Sequence, residues 1–147
     1  MNYLRYTAVF LGMAIGVALI VLAVNAWADS GLGSSAQLLA PAMVAALIEG
    51  RAFVRSEGRK PNPAEAWNFA LLATALAVVL NVALSYAMTG LAPEFAKLTI
   101  AEFGSGQFMI LLALYALGYL LSNRFFLGLG ARNEQDAAAR RNDLGKQ

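Results

Sequence analysis

The chain has 147 residues, 59% hydrophobic and 14% charged, against about 45–50% and about 25% in an ordinary soluble domain. The apolar excess is gathered into four blocks, which assigns it to a membrane rather than to an enlarged soluble core. There is no cysteine and no histidine, so disulfides, thiolate zinc sites, cysteine nucleophiles, imidazole-ligated haem and serine–histidine triads are excluded, and a net charge of +2 gives no case for nucleic acid as a partner.

The first block, Tyr6 to Ala26, carries no charge. A helix needs roughly 20 apolar residues to cross about 30 Å of hydrocarbon, so this block predicts a span over residues 6–27. Tyr3, Tyr6 and Trp27 stand where interfacial aromatics are expected. Ala26-Trp27-Ala28 has the small-x-small form of a signal-peptide cleavage site. The apolar stretch is nevertheless longer than the roughly 7–15 residues of a signal peptide, and a retained span is expected. The second block, Ser34 to Ile48, is shorter, contains Pro41 and is flanked by Glu49 and Arg51. It predicts a span over 34–53 with snorkelling ends, with an interfacial or re-entrant segment as the alternative.

The third block predicts a span over 65–88. Its start is marked by Asn62, Pro63 and Glu65, an N-cap, a first-turn proline and a capping-box glutamate. Trp67 and Phe69 follow at headgroup level. In the next connection, Pro93 and Glu94 read as a helix start and Phe95, Leu98 and Phe103 as membrane-facing, giving a short interfacial helix hinged at Gly104-Ser105-Gly106. The fourth span covers 106–127. From 131 to 147 the chain becomes a polar tail, with a helical start and disordered last residues expected. Gly33-Ser34 before Gln37 and Gly104-Ser105 before Gln107 leave open a duplicated two-helix hairpin.

Ten of the eleven Lys and Arg residues fall at the N-terminus, in the connection between spans two and three, or in the tail; only Lys97 falls on the other side. The positive-inside rule then places both termini and the middle loop in the cytoplasm. The expected fold is an all-α integral-membrane bundle of four transmembrane helices over residues 1–130, followed by a cytoplasmic tail over 131–147.

No span carries an ionisable residue near its middle, where a proton-coupled pump would hold one. Glu49 comes closest, at the cytoplasmic end of span two, with Arg5, Arg51 and Arg124 as candidate partners. Asn81 and Ser85 share a face of span three and suit interhelical hydrogen bonds. With Gln37, Thr74 and Tyr86 they are the polar groups of the spans.

Small residues recur every fourth position: Ala8, Gly12 and Gly16 in span one; Ala42, Ala46 and Gly50 in span two; Ala73 and Ala77, continued by Asn81 and Ser85, in span three. Such stripes let helix backbones approach, either within the chain or against a partner. Span four is leucine-rich and reads as the most lipid-facing helix. Arg51, Arg55 and Arg59 are spaced by four, so a helix continuing past span two would present them together. With Lys60 and Trp67 they are candidates for contact with anionic lipid headgroups or an acidic partner.

The run Gly50-Arg51-x-Phe53, Gly58-Arg59-x-Pro61 and Glu65-x-Trp67, between spans two and three of a chain this size, resembles a family of uncharacterised four-helix inner-membrane proteins of bacteria. The resemblance implies a bacterial inner membrane and no particular activity.

The sequence therefore favours a non-enzymatic accessory or assembly subunit of a larger inner-membrane complex. Its expected partners are the bilayer, anionic lipids, and other membrane subunits or a second copy. A homo-oligomeric channel or transporter using the neutral polar residues is the alternative. An enzyme working through Glu49, Glu57 or Glu65 beside Arg59 is disfavoured. No metal site or cofactor is assigned, since helices touching pigment or quinone look like those touching lipid.

Overall fold

The computed structural model describes residues 1–28, 36–87 and 104–144. They form four helices, α1 (Tyr3–Ala28), α2 (Ala36–Glu57), α3 (Pro63–Ala87) and α4 (Gly106–Leu144), with no strand among the described residues. The predicted interfacial helix and the hairpin duplication fall largely on 29–35 and 88–103, outside the described residues. Three helices, α1, α3 and α4, are long and apolar enough to cross a membrane. The fourth, α2, has 22 residues, but its second half carries Glu49, Arg51, Arg55 and Glu57.

Local chemistry sets the helix ends. Gly58 adopts φ 68° and its N–H donates to the Val54 carbonyl at 2.8 Å, the left-handed stop that glycine permits at no steric cost. Because α2 closes here, Arg59 leaves the helical face of Arg51 and Arg55; the expected three-arginine stripe is broken. At the start of α3 the Asn62 Oδ1 accepts from the Glu65 N–H and a Glu65 carboxylate oxygen accepts from the Asn62 N–H, both at 2.8 Å. This is the reciprocal capping box that Asn-Pro-x-Glu predicts. Ser105 Oγ caps α4 by accepting from the Phe108 N–H at 3.1 Å.

The helical start expected for the tail at 131 is a continuation of α4. Helix α4 continues unbroken for 39 residues, about 58 Å at 1.5 Å per residue. That is about twice the hydrocarbon thickness, so its charged last turns project beyond any membrane its first part crosses. Span four, read as the most lipid-facing helix, is the least buried of the three apolar spans. Met109, Ile110, Leu114, Leu117 and Leu121 are exposed, yet Tyr119, Asn123, Leu127, Gly130, Ala131 and Glu134 form a buried stripe. The leucines between them concealed it.

The closest helix pair is α2 with α4; α1 packs on α2, and α3 on α4. Gly50 and Gly130 mark the crossing. A Cβ on Gly50 would lie 2.2 Å from the Leu127 carbonyl oxygen, and one on Gly130 would lie 2.1 Å from the Leu47 oxygen. Both obstacles are backbone, so only glycine fits. Ala42, Ala45 and Ala46 continue the tight face of α2, and Ala70, Ala73 and Ala77 that of α3. Aromatic rings close the interior where α1 meets α3 and α4. Tyr6 meets Phe69 edge-on at 5.6 Å between centroids, Tyr3 stacks on Phe69 at 5.9 Å, and Phe10 meets Tyr119 at 6.3 Å.

Gly130→Ala is expected to destabilise the bundle by about 1–3 kcal/mol, the usual cost of overpacking. Gly12→Ala, where an added Cβ meets nothing within 4 Å, is expected to leave stability unchanged or slightly higher. Thermal or denaturant unfolding in mild detergent checks the contrast; equal effects would remove the glycine crossing as a structural keystone.

Candidate functional site at the basic end of the bundle

Three helix ends and one turn meet at one end of the molecule: the start of α1, the end of α2, the 58–62 turn with the start of α3, and the middle of α4. Charged groups gather here and most are paired. Glu49, on α2, is fully buried. Its carboxylate accepts from Arg5 Nε and Nη2, each at 2.8 Å, and from the Asn2 N–H. Of its three candidate partners, Arg5 is therefore the one engaged. The first turn of α1 is fastened to α2 in this way, with the guanidinium itself still partly in solvent.

A second carboxylate, Glu134 of α4, was not singled out by the sequence reading. It is 5% exposed and accepts from Arg55 Nη2 of α2 and Arg141 Nη2 of α4, each at 2.9 Å. Arg55 and then Arg141 hold its carboxyl down from the ordinary 4.5 to about 2. The third pair is local: Arg59 donates to both Glu65 oxygens, at 2.7 and 2.9 Å, and lies over the Phe53 ring at 5.3 Å. Arg55 and Arg59 thus serve the fold's own carboxylates instead of forming a free basic face, while Arg51 stays exposed.

Below these pairs the interior holds a neutral polar chain. The Tyr6 hydroxyl donates to Asn123 Oδ1 at 2.8 Å, and Asn123 Nδ2 donates to Thr74 Oγ1 at 3.3 Å. It joins α1, α4 and α3 across the core and satisfies groups that would be costly unpaired. Of these only Thr74 had been noted as polar. The spacing Tyr119, Asn123, Leu127, Ala131, each four apart, is the sequence signal that marks the α4 face.

The predicted packing residues separate into two groups. Ala73, Ala77, Asn81 and Ser85 are buried inside the chain, one continuous stripe of α3. Gly12 and Gly16 are not covered by any described residue, since a Cβ on either meets nothing within 4 Å among them. The buried residues of α1 are Tyr6, Phe10, Ala14, Ala18 and Val21. At 100° per residue, Ala8, Gly12, Ile15, Gly16 and Leu19 lie on the opposite side. Lys60 and Trp67 are both exposed and line a groove of about 870 Å³ against α4, which also takes in Arg124 and Arg132. Among the described residues no cluster of acids could hold a metal ion.

Comparison with protein-family models, curated proteins and solved structures finds no match for this chain.

With a native carboxyl at about 2 against 4.5, Glu134 contributes stability that is present above pH 4.5 and lost as the pH falls towards 2. The thermal midpoint of the wild-type protein in detergent is therefore expected to drop through that window. Glu134→Gln is expected to start lower at pH 7 and to converge on the wild type by pH 2. A constant difference between the two curves would show that the Arg55–Glu134–Arg141 cluster contributes nothing to stability.

Proposed function

We propose that this chain is a non-enzymatic integral membrane protein of a bacterial inner membrane, an accessory or assembly subunit that docks on a larger membrane complex. In this reading α2 is the fourth crossing, the basic end is cytoplasmic, and both termini lie there. The inequality of Lys and Arg supports the orientation. The fourth crossing is supported by the way α2 disposes of its charges: Glu49 is neutralised by Arg5, and Arg55 by Glu134.

The observation that carries the docking role is the outward face of α1. In lipid, helix association draws on close backbone approach and not on hydrophobic expulsion from water. The chain consumes its other small-residue stripes internally, at Ala42, Ala46 and Gly50 and at Ala73 and Ala77. The Ala8, Gly12 and Gly16 stripe is left outside, bordered by exposed Ile15 and Leu19. A partner helix fits there without any change in this chain's fold.

Gly12→Leu with Gly16→Leu is expected to leave the thermal midpoint unchanged and to release the partner when the tagged protein is purified gently from its own membranes. Native mass and identification of co-purifying subunits are the readouts. Retention of the same partner at the same stoichiometry would rule out this face, and a homo-oligomer lacking other subunits would favour the channel alternative.

The absence of native cysteine makes the orientation directly measurable. A single cysteine replacing Ser56 or Asn142 is expected to react with an impermeant maleimide only after the inner membrane is opened. Labelling in intact spheroplasts would overturn the N-in, C-in arrangement.

A further inference from the structure

The cations at the basic end fall into two populations. Arg5, Arg55, Arg59 and Arg141 each touch a carboxylate. Arg51 and Arg140, outside the groove, have no ion pair with a described carboxylate, and neither do Lys60, Arg124 and Arg132. These three converge on one groove of about 870 Å³ between the 58–62 turn, the start of α3 and α4, and no acidic residue lines it. The Arg124 guanidinium lies over the Trp67 ring at 5.6 Å. Its Nε is buried with no hydrogen-bond partner among the described residues, a donor left over at the groove wall.

Apart from Ser122 the rest of the lining is apolar. Leu121 and Phe125 are exposed beside the cations. Beyond them, toward the start of α4, lie exposed Leu117 and Leu114. Arg132 stands eight residues past Arg124, about 12 Å further along the helix axis. A ligand filling this groove meets apolar side chains and three positive charges side by side, with Trp67, an amphipathic ring of the kind most stable at a bilayer interface, among them.

We propose that the groove is a binding site for an anionic phospholipid. The phosphate is held by Lys60, Arg124 and Arg132, and an acyl chain runs along Leu121 and Phe125. Charge complementarity selects this occupant: the groove offers only positive charge, and phosphate oxygens complement guanidinium donors. The site is distinct from the exposed arginine stripe expected from sequence, of which it retains only the neighbouring Lys60 and Trp67. The assignment rests on the membrane reading given above.

The test uses the full-length protein carrying Trp27→Phe, which leaves Trp67 as the sole tryptophan of the original two. It is reconstituted in phosphatidylcholine vesicles containing a small fraction of phosphatidylglycerol, with bromine on the acyl chains of one lipid or the other. Trp67 is expected to be quenched more by brominated phosphatidylglycerol than by brominated phosphatidylcholine at equal mole fraction. The preference is expected to fall by on the order of tenfold in Lys60→Gln/Arg132→Gln, whose substituted residues are both exposed and in no described ion pair. Arg51→Gln, exposed but outside the groove, is expected to keep it.

Equal quenching by the two lipids, or an equal loss in Arg51→Gln, overturns the site and leaves only the diffuse field of a basic surface. Relief of quenching by millimolar inorganic phosphate, with the lipid preference abolished, overturns the lipid assignment in favour of a free-phosphate site. Failure of the protein to float with vesicles at all overturns the membrane reading itself, whereas flotation without selective quenching overturns only the groove.

Discussion

Everything at the basic end of this bundle depends on one contact, the meeting of the α2 and α4 backbones at Gly50 and Gly130. The carbonyl oxygens of Leu127 and Leu47 lie where a Cβ of the facing residue would collide. That proximity also favours Cα–H···O contacts, weak singly but recurrent where helices touch. The contact fixes register as well as distance. Arg55 follows Gly50 by five residues and Glu134 follows Gly130 by four, and their side chains meet at 2.9 Å. The two helices must therefore run parallel, both descending towards the same end. With Arg5 on Glu49 and Tyr3 on Phe69, α1 and α3 start at that end and run the opposite way.

Two carboxylates are buried by this arrangement, and neither is left as a free charge. A buried ion is expensive unless its partner and its remaining lone pairs are satisfied. Glu49 receives two Arg5 nitrogens and a backbone N–H; Glu134 receives two guanidinium groups from different helices. Each arginine keeps part of its head in solvent, which lowers the cost of burying the acid. The pairs are better regarded as register devices than as large sources of stability. They say which residue of one helix sits opposite which residue of another in a bundle whose apolar faces are otherwise interchangeable.

Much of the helical layout was legible in the sequence, because uncharged runs and the Asn62-Pro63-x-Glu65 cap are local signals. The small-residue stripe of α3 was legible for the same reason: i, i+4 spacing is a property of one helix. What could not be read was which stripe meets which. Gly50 was visible, but its counterpart Gly130 sat past the predicted end of the fourth span at 127, just before the polar tail. Glu134 looked like a solvated charge because its burial depends on α2 arriving beside it. The arginine spacing of four suggested a common face, yet Gly58 ended the helix before Arg59 could join it. Those failures share one cause: tertiary contact decides whether a polar residue is spent inside the chain or left available.

The same distinction separates the surfaces that remain. A residue already satisfied within the chain offers little to a ligand or partner, since binding must first break what it has. By that measure Arg55 and Arg59, the most conspicuous cations in sequence, are poor recognition groups. Lys60, Arg124 and Arg132, with no described carboxylate opposite them, are better ones. The stripes of small residues divide likewise: those of α2 and α3 are filled by neighbouring helices, and that of α1 is covered by no described residue. The described residues satisfy both buried carboxylates while leaving one face of α1 uncovered and one groove with unbalanced positive charge. The buried polar chain from Tyr6 through Asn123 to Thr74 is closed by hydrogen bonds, whereas Arg124 Nε is a buried donor with no partner among the described residues.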